Sequence, residues 1–318
     1  MTAMPSADVK PSSLTDTDLK AIEDAAVEMA RVAGATLLRY FKGPLQVNYK
    51  SANNRNPVTD ADHAVDSYLR NEIARRFPTH GIVTEETDPE DESATDIVWV
   101  IDPLDGTSNF LNGLPMFCVL IGVLEHGRPV VGAIFMPDIH DPNGRVIHSR
   151  LGGGAFDEDL RLSIVQDIEG QRRMSTWPGY FLRMFSFKKH LRRRMGDVRS
   201  IGSAGFELAQ TGRGVVDYAV FNGLWAWDIA AGLAIILEAG GAAVQYDRAS
   251  KRWHPFERFA APGKSAPPTR GELNAWRGTF VVGRPAAVEF ISSGVGIKAN
   301  RWQRIVRRIG NLRGNGRR

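Results

Sequence analysis

The chain has 318 residues, 43% of them hydrophobic and 24% charged, with a formal net charge of +4. That balance supplies enough apolar material for a globular core and excludes whole-chain disorder, a collagen-like repeat and a disulfide-stapled scaffold. The single cysteine, Cys118, has no partner for an internal bridge and cannot build a cysteine-based zinc site, which points to a reducing compartment.

The positive charge is unevenly placed. Residues 294–318 carry eight basic side chains (Lys298, Arg301, Arg304, Arg307, Arg308, Arg313, Arg317, Arg318) and no acid, leaving 32 basic against 36 acidic groups, a net −4, for residues 1–293. A second basic run comprises Arg183, Lys188, Lys189, Arg192, Arg193, Arg194 and Arg199, opposed only by Asp197. The high pI is therefore no guide to what the main body binds. The longest apolar run, Ile229–Leu237, has nine residues, where a membrane span needs about 20. The first twenty residues lack the apolar core of a secretory leader, so a cytoplasmic protein is expected.

In chain order, residues 1–17 read as a loose polar tail. From Leu19 to Phe41, Ile22, Ala25, Ala26, Met29, Val32, Ala33 and Leu37 recur at helical spacing. Lys50–Pro57 reads as a polar loop, followed by a helix with Val65, Tyr68, Leu69, Ile73 and Phe77 on one face, stopped at Pro78. Gly81–Val83 is a short apolar segment ending in Thr84-Glu85-Glu86. Ile97–Ile101, apolar throughout, has the pattern of a strand buried on both faces. Cys118–Leu124 and Val130–Met136 read as strands joined at His126-Gly127, and Val146–His148 and Leu162–Val165 as further strands around Gly152-Gly153-Gly154. The 183–199 run fits a single solvated helix face better than a lip that steers polyanionic substrates. Beyond it, Gly202–Gly205 opens a helix, Val215–Phe221 is strand-like, and a helix from about Trp227 to Ala239 stops at Gly240-Gly241. Arg258–Arg277 reads as an exposed excursion, followed by a strand at Phe280–Val282 and a helix at Pro285–Ile291. Hairpins mixed with helices suit a layered α/β (α+β) sandwich better than regular βαβ winding.

The segment Asp102-Pro103-Leu104-Asp105-Gly106-Thr107-Ser108-Asn109-Phe110 carries the chemistry. Two carboxylates crowd the end of a buried strand, Pro103 fixes the backbone between them, and Gly106 permits a tight turn into a helix whose first amides suit a phosphate. Clustered carboxylates repel and are costly to bury without a cation. A hard ion such as Mg²⁺ resolves both problems. A plain turn with a helix cap is the simpler reading of the segment alone, as is a solvated loop for Glu85 and an N-cap for Asp228.

Taken together, Thr84-Glu85-Glu86, the nonapeptide 102–110 and Trp227-Asp228-Ile229-Ala230-Ala231-Gly232 resemble the inositol monophosphatase family. Agreement extends to Val58-Thr59-Asp60-Ala61-Asp62, Gly152–Phe156 and Gly202-Ser203-Ala204, covering roughly residues 18–293. The resemblance implies alternating α-β-α-β-α layers, with a metal-site lobe at about 18–165, a substrate lobe at about 166–293 and a basic tail at 294–318. It also implies Mg²⁺-dependent hydrolysis of a phosphate monoester, a homodimer and inhibition by Li⁺. Carried over by position, Glu85, Asp102 and the Leu104 carbonyl would hold one metal, Asp102, Asp105 and Asp228 a second, with Glu85 facing a looser third ion. Thr107 would orient the attacking water, polarised by Asp62 rather than Asp60, while Glu86 would be structural. The amides of Gly106 and Thr107 would hold the phosphate, and Asp105, Gly202, Ser203 and Ala204 would face the substrate.

The pattern departs from the family at Phe221, where true inositol monophosphatases place a carboxylate that binds substrate hydroxyls. Phe221, Leu224 and Trp225 either offer an apolar substrate surface or, for Phe221, pack in the core. Inositol phosphate is therefore expected to be a poor substrate, with histidinol phosphate, a sugar bisphosphate and 3′-phosphoadenosine 5′-phosphate as other candidates. The tail, with Trp302, Ile305, Val306 and Ile309 at helical spacing, would dock on an acidic partner or anionic membrane surface, or pack against its own fold or a dimer mate. Three-residue spacing of Asp102 and Asp105 excludes an aspartyl-nucleophile phosphatase. No Gly-x-Ser-x-Gly elbow supports a serine hydrolase, and no His-x-x-x-His pair a zinc hydrolase. A binding or regulatory protein on the same fold, using its basic tail to engage nucleic acid or another protein, is the rival to an enzyme.

Overall fold

The computed structural model describes residues 12–41, 47–49, 57–86, 88, 94–164, 173–260 and 266–298. Most of the 1–17 tail, the loop before Pro57, Val165, and Trp302, Ile305, Val306 and Ile309 lie outside the described residues. The chain begins with α1 (Asp16–Phe41), the short pair β1 (Val47–Tyr49) and β2 (Pro57–Thr59), and α2 (Asp60–Arg76). Then follow β3 (Gly81–Thr84), β4 (Ile97–Asp105), α3 (Thr107–Leu111), β5 (Cys118–Glu125), β6 (Arg128–Met136), β7 (Arg145–Arg150), β8 (Gly154–Asp157) and β9 (Leu160–Arg161). The strands β3 to β9 form one sheet in sequence order, antiparallel except for the β3–β4 pair.

The second half contributes β10 (Met174–Thr176), α4 (Phe181–Met184), β11 (Phe185–Phe187), β12 (Asp197–Arg199), α5 (Ala204–Gly212), β13 (Tyr218–Trp225) and α6 (Ala226–Glu238). It ends with β14 (Ala242–Asp247), β15 (Arg252–Pro255), α7 (Arg270–Ala275), β16 (Arg277–Gly283), α8 (Pro285–Ser292) and β17 (Val295–Ile297). Its six-stranded sheet runs β12-β10-β13-β16-β14-β15, and β11 pairs with β17 apart from it.

Side-chain alternation on the two sheets creates three cores. Trp99, Ile101, Val119 and Ile121 face α1 and α2. Val98, Val100, Leu120 and Ile134 face the opposite way, meeting α5, α6 and the inner side of the second sheet through Leu208, Ile229, Phe221 and Phe280. On the outer side of that sheet, Tyr218, Val220 and Val281 meet Val288 and Ile291 of α8. The order is helix, sheet, helix, sheet, helix, as expected from the sequence.

The middle layer fixes the site. A Cβ on Gly132 would stand 2.3 Å from the Ala231 carbonyl oxygen, and one on Gly122 2.7 Å from the Ala230 Cβ. Only bare strand backbone at these points lets α6 lie so close, with Asp228 in its first turn beside the end of β4.

Several sequence expectations are corrected. The strand at Ile97 continues to Asp105, because the ladder with β5 shifts between Asp102 and Asp105 and accommodates Pro103 in the irregularity. Leu162–Ile164 is not a further strand: the Leu162 amide still donates to the Ala155 carbonyl in β8, and by Ile164 the chain has left the sheet, its amide donating to the Ala239 carbonyl. Val215 belongs to the unwinding end of α5, its amide donating to the Gln210 carbonyl, so the strand starts at Tyr218. The basic run 183–199 is not one helix but α4, β11, a 3₁₀ turn at Lys189–Leu191, and β12. The 258–277 excursion is partly core, since Phe259 and Leu273 are fully buried. Among the described residues no helix is long and apolar enough to cross a membrane.

Candidate active site at the end of the first sheet

Asp102 sits near the end of β4 at 2% exposure, its Oδ1 accepting from the Leu104 amide at 3.0 Å. The chain then turns at Gly106, whose φ of +85° is left-handed and whose Cβ would meet the Met116 carbonyl oxygen at 2.9 Å. Both constraints require glycine. α3 starts immediately afterwards, the Phe110 amide donating to the Gly106 carbonyl. Thr107 donates its hydroxyl proton to the Leu104 carbonyl at 3.0 Å. A hydroxyl has one proton, so here it is spent on that carbonyl and not on Asp62.

Asp105 reaches across to the second half of the molecule. It accepts from the Ser203 hydroxyl and from the amides of Gly205 at 2.7 Å and Ala204 at 3.2 Å. Ser203 caps α5, accepting from the Phe206 amide. Asp105 thus supplies negative charge at a helix start belonging to another segment, where it is favoured. Asp228 lies on the first turn of α6 and accepts the Trp225 amide at 2.8 Å, satisfying the main-chain donor at the helix start. Glu85 follows β3, its amide donating to the Ile101 carbonyl at 3.2 Å. The end of β3 is tied to α2 by the buried bond from the Thr84 hydroxyl to Asp66, 2.6 Å. Asp62 is buried in the first turn of α2.

These carboxylates feel one another. Burial, and then the charges of Glu85, Asp105, Asp228 and Asp62, push the Asp102 carboxyl well above the usual carboxylate range. Asp228 is pushed well up by burial and by Asp105, against the Trp225 amide and the Arg277 charge. Asp105 rises through burial, opposed by its hydrogen bonds to Ser203, Gly205 and Ala204.

Among the described residues, no three His, Cys, Asp or Glu side chains are positioned to hold one metal ion together. Asp102, Asp105 and Asp228 each accept from nearby main-chain donors. The structure therefore brings the expected acids into one electrostatic neighbourhood without forming a ligand cage. Their chemistry still fits a hard divalent cation, with oxygen donors only and mutual repulsion that such an ion would relieve.

Ser203 and Ala204 bond to Asp105, while the Gly202 amide donates to Glu207. Phe221 does not offer an apolar substrate surface. It is 5% exposed, belongs to the middle core and pairs across the ladder with Phe280, so its burial favours core packing. Asn222, one residue on, accepts from the Thr279 hydroxyl at 3.1 Å and lines a cavity of about 1030 Å³ with Gly223, Tyr246, His254, Trp276 and Arg277.

Three functional candidates were not legible in the sequence. The Arg277 guanidinium stands 3.5 Å over the Trp225 ring, which stacks on Trp227 at 4.9 Å. Arg277 also lines the cavity and acts on Asp228. Glu207, 5% exposed and pushed by burial up to about 7, accepts the Ile201 and Gly202 amides at 3.0 and 3.3 Å. Asn109 donates to the carbonyls of Met116 and Ile201, fastening the same turn to α3. Asn109 stood inside the nonapeptide, but nothing local marked its partners. Arg277 is adjacent to Trp225 only through the β13–β16 register.

A family model for the inositol monophosphatase family matches residues 18–273. The chain is 34% identical over 230 residues to the Nus factor SuhB of Pasteurella multocida, covering 70% of this chain and 84% of that protein. It is 30% identical over 251 residues to inositol monophosphatase 2 of Saccharomyces cerevisiae, covering 73% and 84%. The solved structure of the extragenic suppressor protein suhB from Bartonella henselae superposes with a TM-score of 0.64 at 25% identity, over 86% of this chain and 97% of that one. With the layered fold in agreement, the chain belongs to the inositol monophosphatase family.

Proposed function

We propose that the protein is a Mg²⁺-dependent phosphomonoesterase that hydrolyses a small phosphorylated metabolite, with water as the nucleophile. One observation carries the reading: Glu85 and Asp228 lie far in sequence from the Asp102–Asp105 segment, yet the charges of Glu85, Asp105 and Asp228 raise the Asp102 pKa, and those of Asp105 and Glu85 raise that of Asp228. Such an arrangement weakens a cation-free fold and is accounted for by a task that needs the cation. Two or three Mg²⁺ ions would be held by Glu85, Asp102, the Leu104 carbonyl, Asp105 and Asp228, supplying Lewis acidity and a more acidic water when bound.

The remaining work falls to the protein. The Gly106 and Thr107 amides, presented by the left-handed turn, hold the phosphoryl oxygens. Thr107 orients the attacking water once its hydroxyl leaves the Leu104 carbonyl, with Asp62 as the acceptor that polarises it. Asp105 and the 202–204 turn face the alcohol part, with Asn109 and Glu207 holding that turn in place. The carboxylate that would read inositol hydroxyls is replaced by the core residue Phe221, so inositol phosphate is a poor substrate. Histidinol phosphate, a sugar bisphosphate or 3′-phosphoadenosine 5′-phosphate is preferred. The enzyme works as a homodimer in the cytoplasm.

Turnover of a phosphomonoester panel with and without Mg²⁺ tests the reading, with Asp105→Asn expected to abolish the metal-dependent activity. Absence of Mg²⁺-dependent turnover across the panel overturns it. The similarity to proteins named Nus factor SuhB then favours the second reading, a binding protein on this fold, for which Asp105→Asn leaves partner binding intact.

A further inference from the structure

The cavity of about 1030 Å³ opens toward the end of β13. The ladder with β16 is irregular between Asn222 and Leu224, and Gly223 sits in the irregularity with φ +75° and nothing within 4 Å of its Cβ position. That leaves open space beside the strand. Past the irregularity Trp225 stands opposite Arg277, and residues directly opposite one another in an antiparallel ladder touch. The Arg277 guanidinium accordingly lies 3.5 Å over the Trp225 ring. Trp225 also gives its amide to Asp228 at 2.8 Å, so one residue links the cavity to the acidic site. On the cavity side Trp276 is fixed against Phe259, with 4.7 Å between ring centroids, which makes the space a preformed one.

The charge in the cavity is one-sided. Two guanidiniums line it, Arg248 and Arg277, and neither pairs with a carboxylate among the described residues. The one acid among the lining residues is Asp247, whose two oxygens already accept from the Ala249 and Ser250 amides at 2.9 and 3.0 Å. Asn222 accepts from the Thr279 hydroxyl at 3.1 Å, and its amide nitrogen donates to no described residue. The cavity therefore presents N–H donors and positive charge, with its single carboxylate engaged elsewhere.

We infer that Arg277, Arg248 and Asn222 form an anion subsite for a second phosphate carried on the alcohol part of the substrate, so that the preferred substrate is a bisphosphate. The inference rests on the phosphomonoesterase reading for the reacting phosphate at the neighbouring acids. Guanidiniums hold phosphate through paired, charge-assisted N–H bonds, and the Asn222 amide adds a donor between them and the strand. A neutral polyol would engage Asn222 and leave both guanidiniums without a partner. An alcohol bearing an amine, as in histidinol phosphate, would be repelled by them.

Substrate pairs that differ by one phosphate test this in the presence of Mg²⁺: adenosine 3′,5′-bisphosphate against adenosine 3′-phosphate, and fructose 1,6-bisphosphate against fructose 1-phosphate. In at least one pair kcat/KM is expected to favour the bisphosphate by about tenfold or more, the worth of a hydrogen bond to a charged group. The double variant Arg248→Gln, Arg277→Gln removes that preference. Binding of adenosine 5′-phosphate to the metal-free chain, followed by calorimetry, reads the subsite without turnover. It is expected to weaken on the order of a hundredfold in the double variant, about tenfold for each arginine. An unchanged melting temperature shows that this variant folds. If it does not fold, Arg248→Gln alone replaces it, since that side chain is exposed, with binding about tenfold weaker. Arginine-dependent binding without turnover of any ester keeps the subsite and refutes the phosphomonoesterase. Equal turnover within both pairs, or faster turnover of histidinol phosphate than of either bisphosphate, overturns the subsite and keeps the phosphomonoesterase. Absence of adenosine 5′-phosphate binding, or binding that the folded variant does not weaken, also overturns the subsite.

Discussion

The position of Asp228 depends on how closely α6 lies against the first sheet, and Gly132→Ala tests that dependence. The new Cβ would stand 2.3 Å from the Ala231 carbonyl oxygen, about 1 Å inside ordinary contact, and 3.1 Å from the Ala231 carbonyl carbon and the Ala234 Cβ. The obstruction at Ala231 is main chain, so no rotamer change relieves it, and helix and sheet must separate. Overpacking a core costs about 1–3 kcal/mol, and rigid main chain on both sides puts this case near about 3. In a protein of this size that lowers the melting temperature by roughly 6–12 °C. Asp228 is one turn before Ala231, so it moves with the helix, and a displacement of about 1 Å at a reacting group costs on the order of a hundredfold in turnover. Gly113→Ala is the control: Gly113 has φ +73° and nothing within 4 Å of its Cβ position, so only the backbone penalty of about 1–2 kcal/mol applies, with no loss of turnover per folded molecule. Thermal unfolding and initial rates on a working substrate decide the matter. A Gly132→Ala variant that melts within about 2 °C of the parent and turns over normally would refute the claim that close approach places the site.

Glu207→Gln addresses a different cost. The Glu207 carboxyl is held neutral up to about 7 in the fold, so the folded state binds more protons than the unfolded state between the ordinary glutamate range and that value. Stability therefore falls as pH rises through this window, by up to about 3 kcal/mol. Glutamine keeps an acceptor for Ile201 and Gly202, so the variant should flatten unfolding free energy between about pH 5 and pH 7; an unaltered slope in urea titrations argues against the assignment. Arg277→Ala removes the guanidinium from the Trp225 ring and the cavity wall. It should raise KM for a negatively charged alcohol part about tenfold while costing less than about 1 kcal/mol of stability, as expected for an exposed cation–π contact. A KM that does not change would detach this cavity from substrate binding. Asp102→Asn keeps the Leu104 amide bond but removes the charge most opposed by its neighbours. The metal-free protein should melt higher than the parent and gain nothing from added Mg²⁺; a lower melting point, or retained stabilisation by Mg²⁺, contradicts the electrostatic account.

Local sequence was enough wherever a property repeats along the chain or is enforced by one residue. The helix at Leu19–Phe41, the strands on either side of His126-Gly127, the stop at Gly240, the turn at Gly106 and the acids around it could all be read without coordinates, because periodicity and glycine conformation are properties of a few neighbouring residues. The resemblance carried by the 102–110 segment added the order of the layers. What tertiary structure decided were relations between distant segments. It turned Phe221 inward against Phe280, set Arg277 on Trp225 through a strand register, gave Asp105 the first turn of α5 to bind, and broke the 183–199 run into four short elements, one of which, β11, pairs with β17. Side-chain spacing reports which face a residue occupies, but what lies opposite that face depends on contacts made tens of residues away. Charge clusters are the extreme case, because like charges gain nothing locally and are brought together only by the packing of the apolar residues between them.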